Sequence, residues 1–64
     1  MLWTDVYDIA ADLDEKHADQ DPMQVNFVEL RDWVMALEGF DDDSARCGEK
    51  ILEAIQAAWI EERS

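Results

Sequence analysis

The chain has 64 residues, enough for one small core and near the size at which folding alone becomes marginal. Seventeen acidic residues against five basic ones give a net charge of −12, which repels phosphate and so disfavours nucleic acid and anionic membrane as partners. Three tryptophans and 48% hydrophobic residues make it too apolar for a disordered acidic tail, and a single cysteine rules out an internal disulfide framework.

The opening Met1-Leu2-Trp3-Thr4-Asp5 lacks a basic, apolar leader, and no apolar run is long enough to span a bilayer; the expectation is a cytoplasmic monomer with one domain over 1–64. Thr4 is placed to cap a first helix, with Asp5 complementing its dipole. Val6, Ile9, Ala10 and Leu13 form one apolar stripe, so this helix is predicted from about residue 5 to residue 16 or 17. Asp5, Asp8, Asp12 and Glu15 fall on a different face, three and four residues apart. Like charges at that spacing cost a helix about 0.2–0.5 kcal/mol per pair. Either the face is simply solvated, or a cation or basic partner relieves the repulsion.

His17-Ala18-Asp19-Gln20-Asp21-Pro22 breaks the helix. Asp21 and Pro22 suit the cap and first position of a short turn, with Met23 and Val25 expected to face inward. The alternation of Met23, Val25 and Phe27 offers a short extended piece as the competing reading. Asn26 with Glu29 resembles a capping box, so a second helix is predicted from residues 27–29 to Glu38, carrying the ladder Leu30, Trp33, Val34 and Leu37. Gly39 can end it in the left-handed conformation, and Phe40 can fold back onto the last turn. Asp41, Asp42 and Asp43 are expected to stay in water. After an irregular Ser44–Gly48 lead-in, Ile51, Leu52, Ile55, Ala58 and Trp59 define a last helix from Glu49 to about Glu62. The whole is an all-α domain of three main helices and a short turn, packed around Trp33 and Trp59 with Trp3 closing one end.

Much chemistry is missing. His17 and Cys47 are the only imidazole and thiol, so a zinc site closed by four such ligands cannot form within one chain. An EF-hand starting at Asp41 fails, since Ala45 and Arg46 stand where an acid and a glycine are needed. No glycine-rich phosphate loop is present. Surrounding acids disfavour a Cys47 thiolate, and the parts of an active site are lacking, so no enzyme is expected. For Asp41, Asp42 and Asp43, with Glu38 beside them, one reading is complementation of the last helix's dipole; the other is weak oxygen ligation of a divalent ion.

Trp3-Thr4-Asp5, Asp21-Pro22, Phe27, Leu37-Glu38-Gly39-Phe40-Asp41-Asp42-Asp43, Glu49-Lys50-Ile51-Leu52-Glu53-Ala54-Ile55 and Trp59 together resemble the IscX family, also called YfhJ, over essentially the whole chain. Two departures are minor: Gly39 stands where an acid is more usual, and Ser44 where proline is. The resemblance implies a small three- to four-helix fold related to the winged helix. It implies docking on the cysteine desulfurase IscS through acidic surface, in competition with bacterial frataxin and ferredoxin. It also implies weak binding of ferrous iron and a role as adaptor in iron–sulfur cluster assembly. An iron donor or buffer is the alternative, and an acidic mimic of nucleic acid on a winged-helix scaffold is a third. The expected docking face is Asp5, Asp8 and Asp12, extended by Asp19 and Asp21, because the elbow acids have the helix dipole as a structural reason. No apolar docking surface is expected once the ladders are buried.

Overall fold

The computed structural model describes all residues, Met1–Ser64. Helix α1 (Val6–Lys16), helix α2 (Phe27–Met35), a 3-10 turn (Ser44–Arg46) and helix α3 (Glu49–Arg63) follow in order, with no strand. The all-α expectation holds. No helix is long and apolar enough to cross a membrane.

The start of α1 differs from the sequence reading. Asp5, not Thr4, is the cap residue, and its side chain makes no bond to the first turn. The chain before α1 is itself a turn: the Leu2 amide donates to Asp5 Oδ2 at 2.8 Å, and the Asp5 amide donates to the Leu2 carbonyl at 3.0 Å. Asp5 is therefore occupied in closing that turn, and Thr4 is left exposed.

Asp21 behaves as expected, its carboxylate accepting from the Met23 amide at 3.0 Å and its carbonyl from the Gln24 amide at 2.9 Å. Pro22 is buried and Val25 half-buried against the core, whereas Met23 is 68% exposed, because it rides on the outside of the turn that Asp21 closes. Asn26 caps α2 by accepting from the Glu29 amide at 2.9 Å.

Helix α2 stops at Met35 rather than Glu38. The Leu37 amide makes a tighter bond to the Val34 carbonyl, 3.1 Å, and this draws Leu37 into the core. Gly39 does take a positive φ, 87°, but within a second turn closed by the Phe40 amide on the Leu37 carbonyl. Phe40 then meets Trp3 edge-on, centroids 4.8 Å apart at 71°, instead of the last turn of α2.

Helix α1 packs chiefly against α3, with α2 laid across the pair. Ile9 and Leu13 of α1, Leu30 and Val34 of α2, and Ile55 and Trp59 of α3 are buried together with Trp3. Trp59 is in the core as expected, but Trp3 and Trp33 trade places. Trp3 belongs to the core, while Trp33 is only half-buried at the edge of its stripe. There it stacks on His17, centroids 4.4 Å apart at 17°, and meets Trp59 edge-on at 6.3 Å.

Arg63, in the last turn of α3, ties the far end together. Its guanidinium donates to Asp14 Oδ1 at 2.7 Å and to the Gln20 and His17 carbonyls at 2.6 and 3.3 Å. Trp59 Nε1 also donates to Asp14, at 3.3 Å. A cation is thereby placed on carbonyls just beyond the C-terminus of α1, where the helix dipole favours it.

Candidate functional site

The acids occupy two regions with different surroundings. On α1, Asp8 and Glu15 are exposed and Asp12 is half-exposed. No hydrogen bond or ion pair engages these three; the molecule's one ion pair is Arg63 with Asp14. Asp12 and Glu15 stand where helical amides are committed to carbonyls one turn back, so they have no backbone donors within reach; Asp8, in the first turn of α1, makes no hydrogen bond even to the free amides there. Asp19 continues this unpartnered set beyond α1, exposed in the following turn. Asp5 and Asp21, the other members of the expected face, each spend a carboxylate oxygen on a local turn.

The elbow is arranged otherwise. Trp3 lies across it: the Trp3 amide donates to Asp42 Oδ2 at 3.1 Å, and Trp3 Nε1 donates to the Asp43 carbonyl at 2.9 Å. The Asp41 amide donates to the Met1 carbonyl at 2.9 Å, and the Met1 amino group donates to the Gly39 carbonyl. Asp42 Oδ1 accepts from the Asp43 amide at 2.7 Å, and Asp43 Oδ1 caps the 3-10 turn by accepting from the Ala45 amide at 2.9 Å. Bonds from the Trp3 and Asp43 amides hold the Asp42 carboxyl below its ordinary range, outweighing a small opposing effect of burial.

The Asp41 carboxylate stays in water as expected, but those of Asp42 and Asp43 are recruited by backbone amides. Their structural reason does not lie in the last helix, since α3 is capped by Gly48 and carries its own acid, Glu49, in the first turn. They hold the residues before α1 against the elbow. As a ligand set, Glu38, Asp41, Asp42 and Asp43 offer a poor fit to one ion. Two of the four carboxylates are engaged, and no three acid, histidine or cysteine side chains converge closely enough to share a metal. Cys47 is half-buried, and burial pushes its thiol up while Arg31 pulls weakly the other way.

Five large apolar side chains stay exposed although the ladders are buried: Leu2, Tyr7, Met23, Val28 and Met35. Met23 was expected to face inward; Tyr7, Val28 and Met35 lie outside the apolar stripes of their helices, and Leu2 precedes the first helix, so periodicity did not single them out. Arg63 was also missed; a basic residue in a last helical turn reads as generic dipole complementation until its carbonyl partners are known.

Comparison with known proteins agrees over the full length. The family model described as iron-sulphur cluster assembly matches residues 1–64. An uncharacterized protein of Pseudomonas aeruginosa is 64% identical over 63 residues, covering 98% of this chain and 96% of that one.

Proposed function

Because the chain belongs to the iron–sulfur cluster assembly family, the IscX (YfhJ) family, we propose that it is a non-catalytic acidic adaptor that docks on the cysteine desulfurase IscS. The observation that carries this reading is the unpartnered ridge Asp8, Asp12 and Glu15 on α1. Its internal repulsion is left standing by the fold, and a basic protein surface relieves it. The elbow supports the reading by contrast, since its Asp42 and Asp43 carboxylates already have work within the fold. Asp19 extends the ridge; Asp5 and Asp21 lie at its margins with one oxygen each still free. Cytoplasmic residence and a monomeric state accompany this role.

Ferrous iron is, on this reading, a weakly held cargo. Exposed carboxylates without a converging thiol or imidazole discriminate little among hard and borderline divalent ions, so manganese competes comparably.

The test is a titration of purified desulfurase in a salt series. Three proteins are compared: wild type, Asp8→Lys/Asp12→Lys, and Glu38→Gln/Asp41→Asn, which spares the Asp42 and Asp43 bonds. Wild-type binding weakens as salt rises, the α1 variant binds at least tenfold more weakly, and the elbow variant binds like wild type. Wild-type affinity that is indifferent to salt, or a larger loss in the elbow variant, overturns the proposal.

A further inference from the structure

An acidic ridge explains how a partner is attracted more readily than how it is held. Long-range charge raises the encounter rate and selects the sign of the partner. Residence instead depends on a few well-packed groups, among which tyrosine, tryptophan and arginine are over-represented. The exposed apolar side chains are the available candidates. Val28 and Met35 lie on α2, Met23 on the Pro22 turn and Leu2 before α1. Tyr7 alone lies on α1 itself, 71% exposed and next to Asp8.

Its neighbours on the helix are suited to contact. On a wheel of about 100° per residue, Ala11 lies about 40° from Tyr7, and Glu15 about 40° beyond Ala11. Ala11 is exposed and small, so a partner can approach the helix closely between the ring and the acids. Asp8 lies about 20° beyond Glu15 and Asp12 about 40° beyond Asp8, so the acids border the strip on one side. The ring makes no stacking contact with any aromatic of this chain, and no guanidinium lies over it. An arginine side chain fits both halves of this arrangement. Its guanidinium plane stacks on an aromatic face, while its charge is met by the acids that border the strip.

We infer that Tyr7 is the anchor of the α1 docking face, receiving an arginine side chain from the basic surface of the partner while Asp8, the acid next to it in the chain, balances its charge. This rests on the docking reading above and adds to it the residue that holds the complex together. Acids set the approach; the ring sets the dissociation rate.

The test uses the full chain and purified cysteine desulfurase, measuring association and dissociation rates for wild type, Tyr7→Ala, Tyr7→Phe and Asp8→Asn/Asp12→Asn. Thermal melts accompany them, and the exposure of Tyr7 predicts that all four proteins stay folded. Tyr7→Ala is expected to dissociate at least tenfold faster with its association rate and salt dependence nearly unchanged. Tyr7→Phe stays within about threefold of wild type, because the ring face and not the hydroxyl makes the contact. The acid variant loses mainly association rate. Tyr7→Ala binding like wild type while the acid variant is weakened overturns the anchor and leaves the docking reading standing. A loss in Tyr7→Phe as large as in Tyr7→Ala overturns the stacking. Binding unchanged in every variant overturns both inferences together.

Discussion

The α1 ridge and the elbow carry the same side chain at similar density, yet they do different things. Asp12 sits where every nearby amide is already bonded to a carbonyl one turn back, and Asp8, in the first turn, makes no hydrogen bond to the free amides there. Asp42 and Asp43 sit where the chain is irregular, and the amides of Trp3, Asp43 and Ala45 need acceptors. A carboxylate on a formed helix is available to a partner, whereas one in an irregular segment is recruited by the backbone. Clustered acids in a sequence are thus a site only where the local amides have been satisfied by something else.

The largest test of this comparison is Trp3→Ala. Trp3 is 1% exposed, packs against Phe40 and supplies two of the donors that organise the elbow. Loss of the ring and its Nε1 donor, with the backbone amide kept, should cost about 3–5 kcal/mol, the range for a buried aromatic and a large share of the stability of a domain this small. A thermal transition within a few degrees of wild type would show that the elbow does not depend on Trp3. Trp33→Ala should cost clearly less than Trp59→Ala, since only Trp59 is fully buried.

Arg63→Ala comes next and addresses the one acid of α1 that does have a partner. Asp14 accepts from both Arg63 and Trp59. Removing the guanidinium leaves Asp14 with the Trp59 donor alone, the His17 carbonyl with the Gln20 amide alone and the Gln20 carbonyl with none, at a cost of about 1–2 kcal/mol for partly exposed groups. Lys at position 63 should recover only part of this, because it lacks the planar fork. Equal melting temperatures for Arg63→Ala and wild type would leave the clip without energetic weight.

Asp42→Asn is expected to lower the melting temperature, and its effect depends on pH. The folded-state pKa of Asp42 lies below its ordinary value of 3.8. Its contribution is therefore fully present above that value and fades as pH falls through the depressed folded value. Wild type and Asp42→Asn should differ near neutrality and converge in strong acid. A gap that widens on acidification would reverse the sign and show that the Trp3 and Asp43 amides do not favour the ionised form.

How legible this was from sequence follows from where each signal resides. The three stripes led by Ile9, Leu30 and Ile55 are periodic, so the helices and most of the core could be read directly. Asn26 and Asp21 act on amides two or three residues away, and their roles were local enough to read as well. Trp3 could not be ranked above Trp33, because its burial depends on segments some forty residues apart meeting. The elbow aspartates were misjudged for the same reason: their donors come partly from the other end of the chain. On α1 the ridge was readable as a wheel pattern, but only the fold shows that no base reaches it and that Tyr7 remains beside it.

The smallest expected effect is the stability change on neutralising the ridge, and it sharpens the comparison most. Asp12→Asn relieves repulsion from Asp8 and Glu15, each about 0.2–0.5 kcal/mol, and gives up a weaker attraction to Lys16 at i+4. Asp8→Asn relieves repulsion from Asp5 and Asp12, but Asp8 lies in the first turn of α1, where an acid gains about 0.3–1 kcal/mol from the helix dipole. Those opposing effects nearly cancel. Asp8→Asn should therefore be neutral within about 0.5 kcal/mol, and Asp12→Asn should fall slightly on the stabilising side. Chemical denaturation of both variants beside Asp42→Asn decides it. If either ridge variant were destabilised as much as Asp42→Asn, the ridge would be part of the fold's own bonding, and its acids would not be free for a partner.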